Sequence, residues 1–389
     1  MKPVKQHEKT KHVLIIEPAA NLYIGHMREK LEVMTSALGE IGCGYDLVTW
    51  EIPSKHLSPP PAAIHVLSPL LRRLIGWVPS RWRTRTMEFF IYLKGFREAA
   101  ARNLGVIGMT TSDPYGPLAA SILCCPGPAY VQRMFNHGLR LHEGKFICSI
   151  PRLIAYDFLV RGGGSLVLFT DLLRDHITGF RTSLREKTRV IPELTQLPSS
   201  RPSAPGAAVM LVSGLDNARR APLLHIAKIH QPVPLKEIII QYQEDIPLSD
   251  LQAQVGISER AFQLTWINKY FTGDDWEALF KRAGFTLVAY DSRFASISAI
   301  LLQSVIFGVP VLSSRFPDAV ENFGRHGQLG EMFEYGDPDD FNKALRKILA
   351  WNEKDYSKFE TARISLLESL RPTTVAGHYL ALLGGRSVS

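Results

Sequence analysis

"FASISAILLQSVIFGVPVLSS", Phe294 to Ser314, is the stretch whose reading decides the fold. It has no charged residue over about the length that spans a bilayer. Gly308 and Pro310 would interrupt a spanning helix in mid-membrane. Ser296, Ser298, Gln303, Ser304, Ser313 and Ser314 add polar groups that lipid would not satisfy. The stretch reads better as two elements. "SISAILLQSVIF" is a buried helix whose serines stand at its start, where side-chain oxygens cap free N–H groups. Gly308 ends it, and "VPVLSS" is a short buried strand. Helix, glycine, strand is the order of an α/β sheet.

The same order runs outward in both directions. Before the stretch come "AVMLVSG" (strand), "APLLHIAKIH" (helix), "KEIIIQYQ" (strand), "LSDLQAQVG" (helix), "AFQLTWIN" (strand), "DDWEALFKRAG" (helix) and "FTLVAYD" (strand). After it come helices beyond "GDPDD". The first half reads alike: "HVLIIEP" and "YDLVTWEI" are strands around the helical "MREKLEVMTSALGEIG". "FREAAARNLG" is helical, "VIGMTTSD" a strand, "PLAASILCC" a helix opening at Pro117, and "SLVLFTD" a strand. Between Ile191 and Gly206 lies a proline- and serine-rich break, the best linker in the chain. The expected architecture is α/β, two Rossmann-like domains with mostly parallel sheets facing a cleft. Ligands in such sheets bind beyond the carboxyl ends of the strands.

Composition agrees. The 389 residues exceed one ordinary core. At 46% hydrophobic and 21% charged the chain is globular, and its net charge of +8 favours anionic partners. Cys43, Cys124, Cys125 and Cys148 form no CxxC pair, so a zinc site and a disulfide framework are not expected, and a reducing cytoplasm fits. The apolar run "VLII" near the N-terminus is too short for a secretory signal.

The C-terminal run carries a resemblance. "DDWEALFKRAGFTLVAYDSRFASISAILLQSVIFGVPVLSS", then "HGQLGEMFEYGDPDDFNKALRKIL", resembles the donor-binding domain of family 4 glycosyltransferases of the GT-B fold. The similarity covers roughly Met210 to Leu349. The first half resembles the family more loosely, through "EPAANLYIGH" and "TTSDPYGPLAAS". The resemblance implies an acceptor-side domain over 1–198, a nucleotide-sugar-binding domain over 207–370, and a final helix in 371–389 crossing back to the first domain. It implies a retaining, metal-independent transfer of sugar from a nucleotide diphosphate sugar to a glycan, lipid-linked or small-molecule acceptor, with no cofactor.

The resemblance also places residues. Arg220, in "GLDNARR" with Gly214 and Arg219, falls where the family carries a basic residue toward the diphosphate. A guanidinium suits phosphate oxygens. Ser296 and Ser298 open the helix that would face the diphosphate. The family's two glutamates are absent. Gln303 stands at the second, and the first falls on Ala295, or on Ser292 if the loop is slipped. Gln303 can still hydrogen-bond ribose hydroxyls. Glu321, in "DAVENFG", is a carboxylate that could reach the sugar from the next loop. His26 follows Gly25 in the first loop of the first domain, which faces the cleft in this architecture, and Asp113 ends a strand toward the cleft. Their plainer readings are a surface or capping histidine, as for His137, and turn initiation before Pro114.

Other patterns compete. The missing glutamates motivate a non-catalytic binding or scaffold protein on a decayed transferase fold. "LSDLQAQVGISERAFQLTW" has helix-turn-helix spacing, which would suit a DNA-binding regulator, but "AFQLTWIN" reads as a strand and no nucleic acid is expected. Asp337 and Asp339 read as a helix cap rather than a metal site. Arg72 to Arg102 holds eight basic and two acidic residues interleaved with Trp77, Trp82, Phe89, Phe90 and Tyr92. That run suits an anionic membrane surface on the inner face, or helices packed on the first sheet with a basic outer side.

Overall fold

The structure is a computed structural model. It describes residues 12–18, 27–53, 57–109, 114–124, 128–133, 140–142, 145–147, 150–161, 164–168, 171, 174–175, 182–192, 208–215, 220–230, 232–242, 246–256, 262–269, 273–291 and 298–384. The chain divides into two compact units. One comprises Met1–Leu139, Ile147–Gln196 and Ser369–Ser389, the other Arg140–Phe146 and Leu197–Glu368. Most of the proline-rich break lies outside the described residues.

The first unit is built on strands β1 (His12–Ile16), β2 (Gly44–Thr49), β3 (Ile64–Val66), β4 (Gly105–Gly108) and β5 (Tyr130–Arg133). The short β6 (Arg140–His142) and β7 (Lys145–Ile147) pair separately with each other. Strands β8 (Gly164–Leu168) and β9 (Thr188–Val190) complete a seven-stranded sheet in the order β3-β2-β1-β4-β5-β8-β9. Every neighbouring pair is parallel. The inner strands are almost wholly buried, as expected of a parallel sheet covered by helices on both faces. Helices α1 (Met27–Glu40), α2 (Pro69–Gly76), α3 (Ser80–Arg102), α4 (Tyr115–Leu123) and α5 (Ile150–Arg161) belong here. α4 begins at Tyr115 rather than at Pro117, since a first helical turn tolerates proline. The basic-aromatic run forms α2 and α3. The second half of α3 buries Ile91, Tyr92, Leu93, Phe96 and Ala99. The last helix, Pro372–Gly384, buries Val375, Ala376 and Tyr379 in the same core as Leu31, Met34 and Leu38 of α1.

The second unit carries β10 (Val209–Leu215), β11 (Glu237–Tyr242), β12 (Gln263–Asn268), β13 (Phe285–Val288), β14 (Val311–Ser314) and β15 (Gly330–Phe333). They form a six-stranded, all-parallel sheet in the order β12-β11-β10-β13-β14-β15. "AFQLTWIN" supplies β12, not a second helix, so the helix-turn-helix pattern there is not realised. Gly330 lets β15 approach β14. A Cβ on it would meet the Val311 carbonyl oxygen at 1.8 Å. In both units the first strand sits inside the sheet and the fourth lies on its other side. Strand order therefore reverses between β1 and β4, and again between β10 and β13. This is the topological switch point, where crossovers diverge and leave a crevice at the carboxyl ends.

Candidate functional site

Two segments leave the switch point of the second unit. β10 runs through Gly214 to Leu215, with a register shift against β11 between Val212 and Leu215. Gly214 therefore lies in the strand. Arg220 follows and occupies the N-cap position of the helix Ala221–Ala227. β13 ends at Val288, and the segment after it leads to the helix Ala299–Ile306. Because β10 and β13 are parallel neighbours, their carboxyl ends adjoin.

The helix Ala299–Ile306 starts later than its sequence suggests. Its N-cap is Ser298, whose buried hydroxyl oxygen accepts from the Leu301 N–H at 3.2 Å. The Ser298 N–H donates to Asp318 Oδ2 at 2.8 Å. Ser298 thus builds the helix start. The N–H groups of Ala299 and Ile300 bond to no described residue, and they carry the positive end of the helix dipole. Gln303, one turn further on, is half-buried, and its amide bonds to no described residue. The helix is pinned to the sheet by the Ser304 hydroxyl, which contacts Thr286 Oγ1 of β13 at 2.7 Å. At its far end the buried Arg363 guanidinium donates to the carbonyls of Val305 (3.1 Å) and Ile306 (3.0 Å). Gly308 turns the chain at φ +78° into β14. The Ser314 hydroxyl then holds Tyr290 just past β13, donating to its carbonyl at 2.7 Å and accepting from its N–H at 2.9 Å.

Asp318 opens the helix Pro317–His326. Burial pushes its carboxyl up to about 7, against the lowering effect of the Ser298 N–H. Its Oδ1 accepts from Asn322 at 3.0 Å. Glu321, on the same helix, takes a 2.6 Å salt bridge from Arg325. Asp337 caps the helix Pro338–Leu349 by accepting from the N–H groups of Asp339 (2.9 Å) and Asp340 (3.0 Å). Among the described residues no three His, Cys, Asp or Glu side chains cluster as metal ligands. His26, Asp113, His137, Arg219, Ser292, Ala295 and Ser296 lie outside the described residues. Asp318 and Arg363 are the residues that sequence reasoning passed over.

No family model matches the chain, and no curated protein matches it in sequence. Solved structures do match. Anabaena HepE, in complex with UDP and glucose, superposes with a TM-score of 0.64 at 11% identity, over 97% of this chain and 100% of that one. A glycosyltransferase from Rickettsia africae gives 0.65 at 12% identity, over 97% and 98%. The lipopolysaccharide outer core galactosyltransferase WaaB gives 0.62 at 14% identity, over 96% and 99%. The chain has the GT-B fold. At such identities the likeness is one of fold. In this GT-B chain the switch-point position of Arg220 and of the helix Ala299–Ile306 is the chain's own evidence about a site. No helix among the described residues is long and apolar enough to cross a membrane, and the Phe294–Ser314 stretch includes a helix of eight residues and a strand of four.

Proposed function

We propose that the protein is a retaining glycosyltransferase that moves a sugar from a nucleotide diphosphate sugar to a glycan, lipid-linked or small-molecule acceptor. The observation that carries this reading is the origin of Arg220 and of the Ala299–Ile306 helix at adjoining carboxyl ends, where strand order reverses. The likeness in fold to a protein whose structure holds UDP supports it.

In this reading the donor diphosphate lies against the N–H groups of Ala299 and Ile300, with the Arg220 guanidinium on its oxygens. Gln303 reaches the ribose. The bond from the anomeric carbon to the diphosphate oxygen breaks, the electron pair leaves with the diphosphate, and the acceptor oxygen bonds to the same carbon. The acceptor proton passes to the departing phosphate. Donors preset for the charge that develops on the leaving group stabilise the transition state. Arg219 and Ser296 come just before Arg220 and Ser298 in sequence, and His26 and Asp113 come after β1 and β4 in sequence; these four are carried as further candidate residues of the reaction. Glu321 is the carboxylate proposed for the sugar, and it must leave Arg325 to act.

Gln303 in place of a carboxylate favours one second reading, a nucleotide-sugar-binding protein without turnover. Incubation with UDP-glucose and with other nucleotide sugars, followed by assay of released nucleoside diphosphate, separates the two. Release supports transfer or donor hydrolysis. Saturable binding with no release supports the binding protein. The absence of both binding and release would contradict the donor site.

A further inference from the structure

Helix α2 turns apolar side chains outward. Leu70 is 70% exposed, Leu74 53% and Trp77 79%. Their i, i+4, i+7 spacing sets them along one side of the helix and its C-terminal end. Ile75 is the buried residue on α2. Trp82, in the first turn of α3, is 49% exposed. The junction between the two helices is fixed. Arg83 donates to the carbonyls of Gly76 (3.0 Å) and Val78 (3.3 Å), across the turn that separates Trp77 from Trp82. The ridge is therefore a set feature of the fold, and a contiguous apolar surface of this kind marks a contact site.

Its surroundings decide what it contacts. From Val66 to Met87 the chain has five arginines and no Asp or Glu. Arg73 is exposed on α2, and the Arg85 guanidinium stands 5.5 Å above the Trp82 ring. Arg72 faces Glu51 at 3.8 Å and so lends its charge less freely. Tryptophan and leucine side chains flanked by arginine match a bilayer boundary, where rings sit at headgroup level and guanidinium groups meet lipid phosphates. We infer that α2 and the start of α3 dock on an anionic lipid bilayer, with Leu70, Leu74, Trp77 and Trp82 in the headgroup–acyl boundary and Arg73 and Arg85 at the phosphates. The inference places the contact at the beginning of the basic-aromatic run, because the later part of α3 is buried. It stands independently of the transferase reading.

The test is co-sedimentation of the full chain with vesicles of phosphatidylcholine alone and of phosphatidylcholine with phosphatidylglycerol. Binding to the anionic vesicles is expected to exceed that to neutral ones about tenfold or more, and to fall at high salt. Leu74→Ser with Trp77→Ser should lower anionic-vesicle binding about tenfold, while circular dichroism and melting stay as in wild type. Arg73→Gln with Arg85→Gln should abolish the preference for anionic lipid. Equal binding to both vesicles, binding to neither, or wild-type binding by the ridge variants overturns the inference. So does a dimer that the ridge variants dissociate in the absence of vesicle binding, which would make the ridge a contact between copies of this chain.

Discussion

The Ser298 N–H donates to the Asp318 carboxylate across 2.8 Å, between two residues twenty apart in sequence. The bond places a carboxylate at the positive end of the Ala299–Ile306 helix, as Arg363 places a guanidinium at its negative end. Both groups are buried, and burial keeps the Asp318 carboxyl protonated up to about pH 7. The helix proposed to face the donor is thereby held at its two ends by side chains from the segments that follow it.

The first prediction follows from the Asp318 carboxyl, which burial pushes up to about 7. In the unfolded chain it titrates near 4. Between these values the folded protein keeps a proton that the unfolded protein has released. Raising pH through this window therefore favours unfolding, by at most about 1.4 kcal/mol per pH unit. Asp318→Asn removes this contribution. Denaturant unfolding of both proteins should show the wild type losing stability relative to the variant from pH 5 to pH 7, with no further change above pH 8. Parallel pH profiles would contradict the assignment.

Arg363 gives a second. Replacing it with Met keeps much of its volume and leaves the carbonyls at the helix end without their charged donor. A loss of about 2–3 kcal/mol in unfolding free energy is expected. Arg363→Lys should recover only part of it, since an ammonium cannot span two carbonyls as a planar fork does. Full recovery by lysine would show that charge alone matters here.

Much of the fold was legible in the sequence because both units repeat a local pattern. Apolar runs such as "EIIIQY" and "VLSS" have strand length, and Gly308 marks the end of a helix that has to turn at positive φ. "QLTWIN" was legible as a strand from its aromatic and β-branched residues. The helix start was less so. Ser296 and Ser298 offer the same capping chemistry two residues apart, and Ser298 is the one whose N–H meets Asp318. Nor could sequence choose between Asp318 and Glu321. Both lie on one short helix, and only packing turns Asp318 inward while Glu321 pairs with Arg325. Arg363 reaches its carbonyls from 57 and 58 residues away and leaves no local sign.

The third prediction concerns Gly330. An alanine Cβ would fall 1.8 Å from the Val311 carbonyl oxygen and 2.6 Å from its nitrogen, both backbone atoms that cannot swing aside. Gly330→Ala should cost about 3 kcal/mol by forcing β15 away from β14. Thermal unfolding checks it, and an unchanged melting temperature would mean that the two strands do not pack this closely.

The measurement that tests the donor site most directly is calorimetric titration of the wild type, Arg220→Ala and Gln303→Ala with UDP and with pyrophosphate. Arg220→Ala should weaken both ligands, by about 1.5–3 kcal/mol, with little loss of fold stability, because it removes a charge-assisted contact to phosphate. Gln303→Ala should cost about 1 kcal/mol for UDP and less for pyrophosphate, which has no ribose. If Arg220→Ala binds UDP as tightly as the wild type, or if Gln303→Ala weakens both ligands equally, the donor does not bind at the switch point of the second unit as proposed.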